Sequence, residues 1–449
     1  MNTPVNTSEN TSVRAMLDLL KLAIPVIATR LTFPIMSVTD AVVLGHYAQL
    51  ELAYITTGYL LFSIGLAFGM GTLQGVQVIT AELSGVGRAH ETGRVLKRGL
   101  LIGTGIGIVF TIAIYSLSSP MFSRLGFEDQ VAADMTSVAR ILAYGLIGQL
   151  LATGLAFYFE ALRRPNIVVA VMYGCAGLNL VIDLALVGGS WGFPQMGAEG
   201  VAWASTGVRV VQAVILIGLA ALLTPGFTSS PPAPAGEFRR QNTVGMGGAL
   251  ANVAEFASFN AMFVIAAMIS LSAGAVFSMA MQPLFTCFMV FSGIGVASSI
   301  RVAEAFGSKN RRGVIDATRL GLGTYLICGL SLSVIIFVFR DVWAGLLIKN
   351  TEEVNLVAAL AVVIGISAIA MVFDGLQAVV ATMLRAQEVV WPSTIIQLLS
   401  YICVMVPSAW YLGLVRGGGA EGVMWGIVFG SVVAGTGQLV LLQIKTARQ

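Results

Sequence analysis

The sequence predicts an all-α integral membrane protein: twelve transmembrane helices in two six-helix lobes related by pseudo-two-fold symmetry about the membrane normal. Three observations carry this expectation. Of 449 residues, 57% are hydrophobic and only 10% charged, with a mean hydropathy of +0.87; a soluble domain carries about 25% charged residues. The heptapeptide Gly197-Ala-Glu-Gly-Val-Ala-Trp203 returns as Gly419-Ala-Glu-Gly-Val-Met-Trp425, 222 residues later. The same offset aligns Gly71 with Gly293, Glu82 with Glu304, Gly85 with Gly307, Gly99 with Gly321 and Leu162-Arg163 with Leu384-Arg385. Finally, basic residues collect in alternate loops. Internal duplication of an apolar chain is the pattern of secondary transporters, whose halves rock around a site between them.

Residues 1–14 form a polar N-terminus, beginning MNTPVNTSENTS, without the charged-then-apolar layout of a signal peptide. The first lobe, 15–224, holds apolar segments at about 15–44, 52–80, 92–117, 133–159, 164–188 and 197–224. Each approaches or exceeds the roughly 20 residues that span a bilayer as helix, and the longer ones imply tilt. Residues 225–242 form a linker rich in Pro, Ser and Gly, which composition predicts to be flexible. The second lobe, 243–444, repeats the pattern at about 243–269, 273–303, 314–338, 354–382, 389–413 and 421–444, leaving 445–449 as a tail. Eighteen Lys and Arg residues, from Arg14 to Arg448, fall in one set of loops and termini; Arg124, Arg340, Lys349 and Arg416 fall in the other. The positive-inside rule then places both termini and the linker in the cytoplasm of a plasma (inner) membrane protein.

Ionisable residues within the spans are the informative class, because a charge at a helix centre costs about 2.5–3.5 kcal/mol even on insertion scales. They are Asp40, Asp183, Glu255 and Asp374, with Arg30, Arg140 and Arg209 as cations. Asp40 and Asp183 stand at similar depth, Asn179 precedes Asp183 by one turn, and Ser205 can add a hydroxyl. Two carboxylates with amide and hydroxyl oxygens can seat Na⁺ or share a proton. Glu255 and Asp374 form a second matched pair. The repeat is a control: shifted by 222, Asp40 falls on Met262, Asn179 on Tyr401, Asp183 on Met405 and Asp374 on Ala152, while Glu255 shifts back to Phe33. Acids needed only by the scaffold would recur in both copies. The blander readings are hydrated caps for Asp40 and Asp183 and a structural pair for Glu255 and Asp374. Arg30 and Arg209 either tune these acids or meet an anionic group on a substrate; Arg140 is expected to snorkel.

Other signals are discounted. Gly103-Thr-Gly-Ile-Gly107 and Gly65, Gly69, Gly71 and Gly75 lie inside apolar spans, where small residues permit close helix packing. The chain contains no GxxxxGK[ST] phosphate loop. Four isolated cysteines and two loop histidines predict no disulfide framework, catalytic constellation or metal site beyond a possible Na⁺ at the coupling site. The protein is therefore expected to be no enzyme, to need no cofactor, and to engage a small-molecule substrate and the lipid bilayer, with no nucleic acid and no obligate protein partner.

Ser299-Ile-Arg-Val-Ala-Glu-Ala-Phe-Gly307 resembles the signature after the eighth span of multidrug and toxic compound extrusion (MATE) transporters. Phe373-Asp-Gly-Leu-Gln377 with Met383-Leu-Arg385 is similar to their tenth-span motif, and Asp40-Ala-Val-Val-Leu-Gly45 to the end of their first span. Asn179-Leu-Val-Ile-Asp183 with Gly197-Ala-Glu-Gly200 resembles their fifth-to-sixth-span pattern. The resemblance covers nearly the whole chain, and Glu255 with Asp374 points to the NorM-like branch. It implies a twelve-helix, two-lobe antiporter that expels organic cations in exchange for Na⁺ or H⁺. Residues matching Asp40, Asn179 and Asp183 serve a cation site in the first lobe of such proteins, and those matching Glu255 and Asp374 one in the second. Arg30 departs from the family, whose members are commonly uncharged there, as do Gly247, Ala370 and Ala386. The expected function is efflux of amphipathic organic cations coupled to Na⁺ or H⁺. The alternatives are export of an anionic or zwitterionic natural product such as a siderophore, and flipping of a lipid-linked precursor.

Overall fold

The computed structural model describes residues 7–48, 51–124, 128–348 and 354–448. Lys349 and residues 1–6 lie outside them. Among the described residues, twelve helices are long and apolar enough to cross a membrane. In the first half these are α1 (Thr7–Tyr47), α2 (Leu52–Gly85), α3 (Thr92–Arg124), α4 (Asp129–Ala161), α5 (Pro165–Leu186) and α6 (Gly197–Leu223). In the second they are α7 (Glu237–Ile269), α8 (Leu271–Gly307), α9 (Arg311–Val338), α10 (Val354–Ala386), α11 (Trp391–Val415) and α12 (Gly419–Arg448). Helix α1 starts at Thr7, so most of the expected polar tail is helical; Ser, Thr, Asn and Glu suit a first helical turn.

The helices pack as two compact units, Leu31–Asn252 and Met1–Arg30 with Val253–Gln449. The divisions fall within α1 and α7. In the unit Leu31–Asn252, α4 is the buried axis, with Leu142, Leu146, Leu150, Leu155 and Tyr158 all fully buried. The glycines of α2 make this possible. Gly58 faces Leu142, Gly65 faces Leu146 and Gly69 faces Leu150, while Gly71 lies against the backbone of Gly248 and Ala249 in α7. A side chain at Gly71 has nowhere to go, so this stripe packs helices and binds no nucleotide.

The repeated heptapeptide has a conformational reason. Gly197 and Gly419 open α6 and α12 with φ of 55° and 58°, a left-handed conformation that glycine adopts without penalty. Helix α11 has no counterpart to this regularity. It contains π-helical turns at Leu399–Met405 and Trp410–Val415 around Pro407, whose missing N–H interrupts the α-helical ladder. Its repeat partner α5 is regular from Pro165 to Leu186.

The linker differs from the flexible segment that its composition predicts. A short 3₁₀ turn forms at Pro225–Phe227, and α7 begins at Glu237, earlier than expected. Lys97 donates to the Thr228 carbonyl at 3.0 Å and Arg94 to that of Pro231 at 3.1 Å. Glu237, though buried, accepts two hydrogen bonds from Arg94, at 2.8 and 2.7 Å, and one from Arg98 at 3.0 Å. Glu91 binds Arg94 from the other side at 2.6 Å, and Arg240 reaches Glu82 at 2.7 Å. Arg88, hydrogen-bonded to Glu91, has its pKa raised by that carboxylate. Charge pairing with α2 and α3 thus holds a segment whose own residues supply little apolar surface.

Replacing Glu237 by Gln removes the negative charge and one of the two acceptor oxygens of this fork. A bidentate pair of this kind contributes on the order of 1 kcal/mol. Limited trypsin digestion at Arg239 and Arg240 should then run roughly fivefold faster than in the wild type, by mass spectrometry of the fragments.

Candidate functional site

In the unit Leu31–Asn252, α1, α5 and α6 bring four of the sequence-predicted residues, Asp40, Asn179, Asp183 and Ser205, together. Asn179 is the hub. Its Nδ2 donates to Asp40 Oδ1 at 2.7 Å and to Asp183 Oδ2 at 2.6 Å, joining two carboxyl groups from different helices through one amide. Asn179 and Asp183 are one turn apart on α5, so their side chains share a face. Asp40 Oδ2 also accepts from Ser205 Oγ at 3.2 Å. Asn179 and Asp183 are fully buried and Asp40 nearly so. Asp40 and Asp183 are therefore not the hydrated caps of the blander reading.

Tyr59 of α2 completes this cluster. Its hydroxyl lies 3.4 Å from Asp40 Oδ2 and 3.3 Å from Ser205 Oγ, and it accepts from Arg209 Nη2 at 3.0 Å. The Arg209 guanidinium lies over the Phe62 ring at 4.4 Å, and its positive charge acts on Asp40. Beside it is a cavity of about 300 Å³, lined by Tyr59, Phe62, Gln149, Met172, Arg209 and Gln212 among others. Asn179 Oδ1 and Asp183 Oδ1 are buried oxygens with no hydrogen-bond partner among the described residues. A proton on Asp183 or a Na⁺ ion bound by these oxygens fits that donor set. Among the described residues, no group of three or more His, Cys, Asp or Glu side chains is placed to hold a metal.

Arg30 is buried in α1, ten residues before Asp40, and falls in the other compact unit. Arg140 donates to the Tyr115 carbonyl at 3.3 Å and lies 4.3 Å from its ring. It is thereby anchored on α3, where the sequence suggests a snorkelling side chain.

The unit that includes Val253–Gln449 holds the second pair. Asp374 of α10 is buried and accepts from Tyr401 OH and Ser431 Oγ, each at 3.4 Å. Glu255 of α7, partly buried, faces Asp374 and Arg385 electrostatically. Sequence reasoning missed Tyr401, Ser431 and Arg385, although the repeat offset points to two of them. Tyr401 occupies the position of Asn179 and Ser431 that of Arg209. Two polar positions of the first cluster thus reappear as donors to Asp374, whereas Ser205 and Tyr59 fall on Ile427 and Met281. The sequence reading also passed over Glu160, a fully buried acid that accepts from Gln77 at 2.9 Å, because it stands where α4 ends and resembles a loop residue.

The MatE family profile matches residues 25–185 and 249–410, a stretch in each half. This chain belongs to the MatE family. A "Probable multidrug resistance protein NorM" of Caulobacter vibrioides is 31% identical over 427 residues, covering 93% of this chain and 89% of that protein. A protein of the same name from Bradyrhizobium diazoefficiens is 26% identical, covering 96% and 94%. Among solved structures, the eukaryotic MATE transporter AtDTX14 superposes with a TM-score of 0.86 at 18% identity, covering 97% of this chain and 98% of its own. An outward-facing multidrug resistance MATE family transporter gives 0.85 at 18% identity, covering 96% and 95%. The chain is thus a NorM-like MATE transporter, a multi-pass membrane protein and not an enzyme.

Asn179→Leu preserves side-chain size but removes the amide that joins Asp40 to Asp183. Hydrogen bonds to charged groups contribute about 1.5–3 kcal/mol, so transport by reconstituted Asn179→Leu protein should fall roughly ten- to hundredfold. Size-exclusion chromatography should show an unchanged folded peak.

Proposed function

We propose that this MATE transporter exports amphipathic, mostly cationic organic compounds in exchange for Na⁺ or H⁺ by alternating access. Its Asp40–Asn179–Asp183 cluster serves as a coupling site and the Glu255–Asp374 pair as a second. The observation that carries this reading is the buried amide shared by two carboxyl groups. Two ionised carboxylates at that separation repel, so the cluster favours taking up a proton or a monovalent cation. Arg209 offsets one negative charge, which leaves the ionised cluster one unit negative. A single proton, Na⁺ or organic cation neutralises it, and that equivalence lets one displace another. Exchange follows when the inward- and outward-facing states bind the ion and the substrate with different affinities. The names of the bacterial relatives agree with multidrug efflux. In this scheme both termini face the cytoplasm, the protein resides in the plasma (inner) membrane, and no cofactor or obligate protein partner is needed.

The Arg209 guanidinium beside the 300 Å³ cavity favours a second reading, in which the cargo carries an anionic or zwitterionic group. A lipid-linked precursor has no comparable support.

The test is uptake of a fluorescent organic cation into everted vesicles under separately imposed Na⁺ and pH gradients. Uptake driven by one gradient, and lowered at least tenfold in Asp40→Asn at equal protein level, is the expected result. If neither gradient drives cation uptake while an aromatic carboxylate is transported and Arg209→Ala abolishes this, the second reading replaces the first.

A further inference from the structure

Arg385 is buried, with 4% of its surface exposed, inside a unit otherwise built from apolar helices. Its Nη2 donates to Gln397 Oε1 at 2.8 Å, and Gln397 Nε2 donates to Gln377 Oε1 at 2.6 Å. Gln377 is fully buried, stands one turn from Asp374 on α10, and has an amide nitrogen with no partner among the described residues. A chain of three polar side chains therefore runs from Arg385 near the end of α10, through Gln397 of α11, back to the face of α10 that carries Asp374. The repeat shows that the fold does not require it. Shifted by 222, Arg385 falls on Arg163, which is exposed at the end of α4 with φ of 57°; Gln377 falls on Leu155 and Gln397 on Cys175, both buried. One scaffold thus tolerates apolar residues at the clamp positions in one copy and holds a guanidinium in the other. Burying an arginine is costly unless negative charge answers it, and Glu255 is an acid within electrostatic reach of it. The other titratable groups around this pair are Tyr401, which donates to Asp374, and Tyr325, which donates to the Val372 carbonyl.

We infer that Arg385, held by Gln397, which Gln377 in turn orients, is a fixed counter-ion and positioning residue that sets the Glu255–Asp374 pair to accept one monovalent cation. This deepens the proposed function and rests on its reading of that pair as a coupling site. With Glu255 and Asp374 ionised and Arg385 charged, the site is one unit negative. Arg385→Gln makes it two units negative, so it holds its cation too tightly to release it. Glu255→Gln makes it neutral, so it recruits none. The double variant restores one negative charge.

The experiment measures gradient-driven substrate uptake in proteoliposomes for the wild type, Arg385→Gln, Glu255→Gln, the double variant and Arg385→Lys, together with Na⁺ and proton binding by the purified proteins. Each charge-changing single variant should transport at less than a tenth of the wild-type rate, with cation affinity raised at least tenfold in Arg385→Gln. The double variant should recover at least a third of the rate, and Arg385→Lys should stay within threefold of wild type. A merely structural arginine would leave the double variant as poor as the worse single one, and that result overturns the inference. Should Arg385→Gln fail to accumulate, the double variant and Arg385→Lys decide the question by the same thresholds. Full transport by Glu255→Gln would instead remove the underlying reading of the pair, and the counter-ion role with it.

Discussion

A carboxylate inside a membrane protein must be neutralised or hydrogen-bonded, and much of this structure depends on how that demand is met. The first cluster uses a neutral amide. Asn179 has a single Nδ2 between Asp40 and Asp183, so two acids from α1 and α5 cannot be moved independently. The second cluster uses hydroxyls, with Tyr401 and Ser431 converging on one oxygen of Asp374. Neutral donors stabilise an ionised acid without cancelling its charge.

The two clusters also show what gene duplication preserves and what it frees. Features that backbone geometry requires recur at the fixed offset: the left-handed glycines that open α6 and α12, and Gly71 with Gly293, each pressed against the backbone of a neighbouring helix. Chemistry does not recur. Asn179 becomes Tyr401 and Arg209 becomes Ser431, while Leu162-Arg163 and Leu384-Arg385, identical in sequence, meet opposite fates. Arg163 is exposed, whereas Arg385 is drawn into a polar chain. The π-helical turns of α11 accompany this divergence, since Tyr401 sits within the first of them while α5 stays regular.

The linker makes a complementary point about charge outside the hydrocarbon. A Pro- and Ser-rich segment cannot bury enough apolar surface to order itself. Arg94 and Arg98 hold it instead, and Glu237 begins α7 while accepting from both. The same arginines enter the positive-inside count of the sequence, and here they join α3 to the start of α7.

How much was legible in the sequence follows from the range of each interaction. Helix number, the repeat and the membrane class rest on composition and period, which act locally and survive without a fold. Asn179 and Asp183 were readable as one face because they are four apart on a helix. Tyr59, Tyr401 and Ser431 were not, because a lone polar residue in an apolar span looks the same whether it faces a carboxyl group or lipid. Glu160 and Glu237 were missed or misjudged for the opposite reason, since acids near helix ends are usually solvated. Sequence alone therefore determined that acids, amides and arginines had been committed to the membrane. Only the tertiary structure decided which of them meet, because partners such as Asp40 and Asn179 stand 139 residues apart and are joined by helix packing, not by the chain.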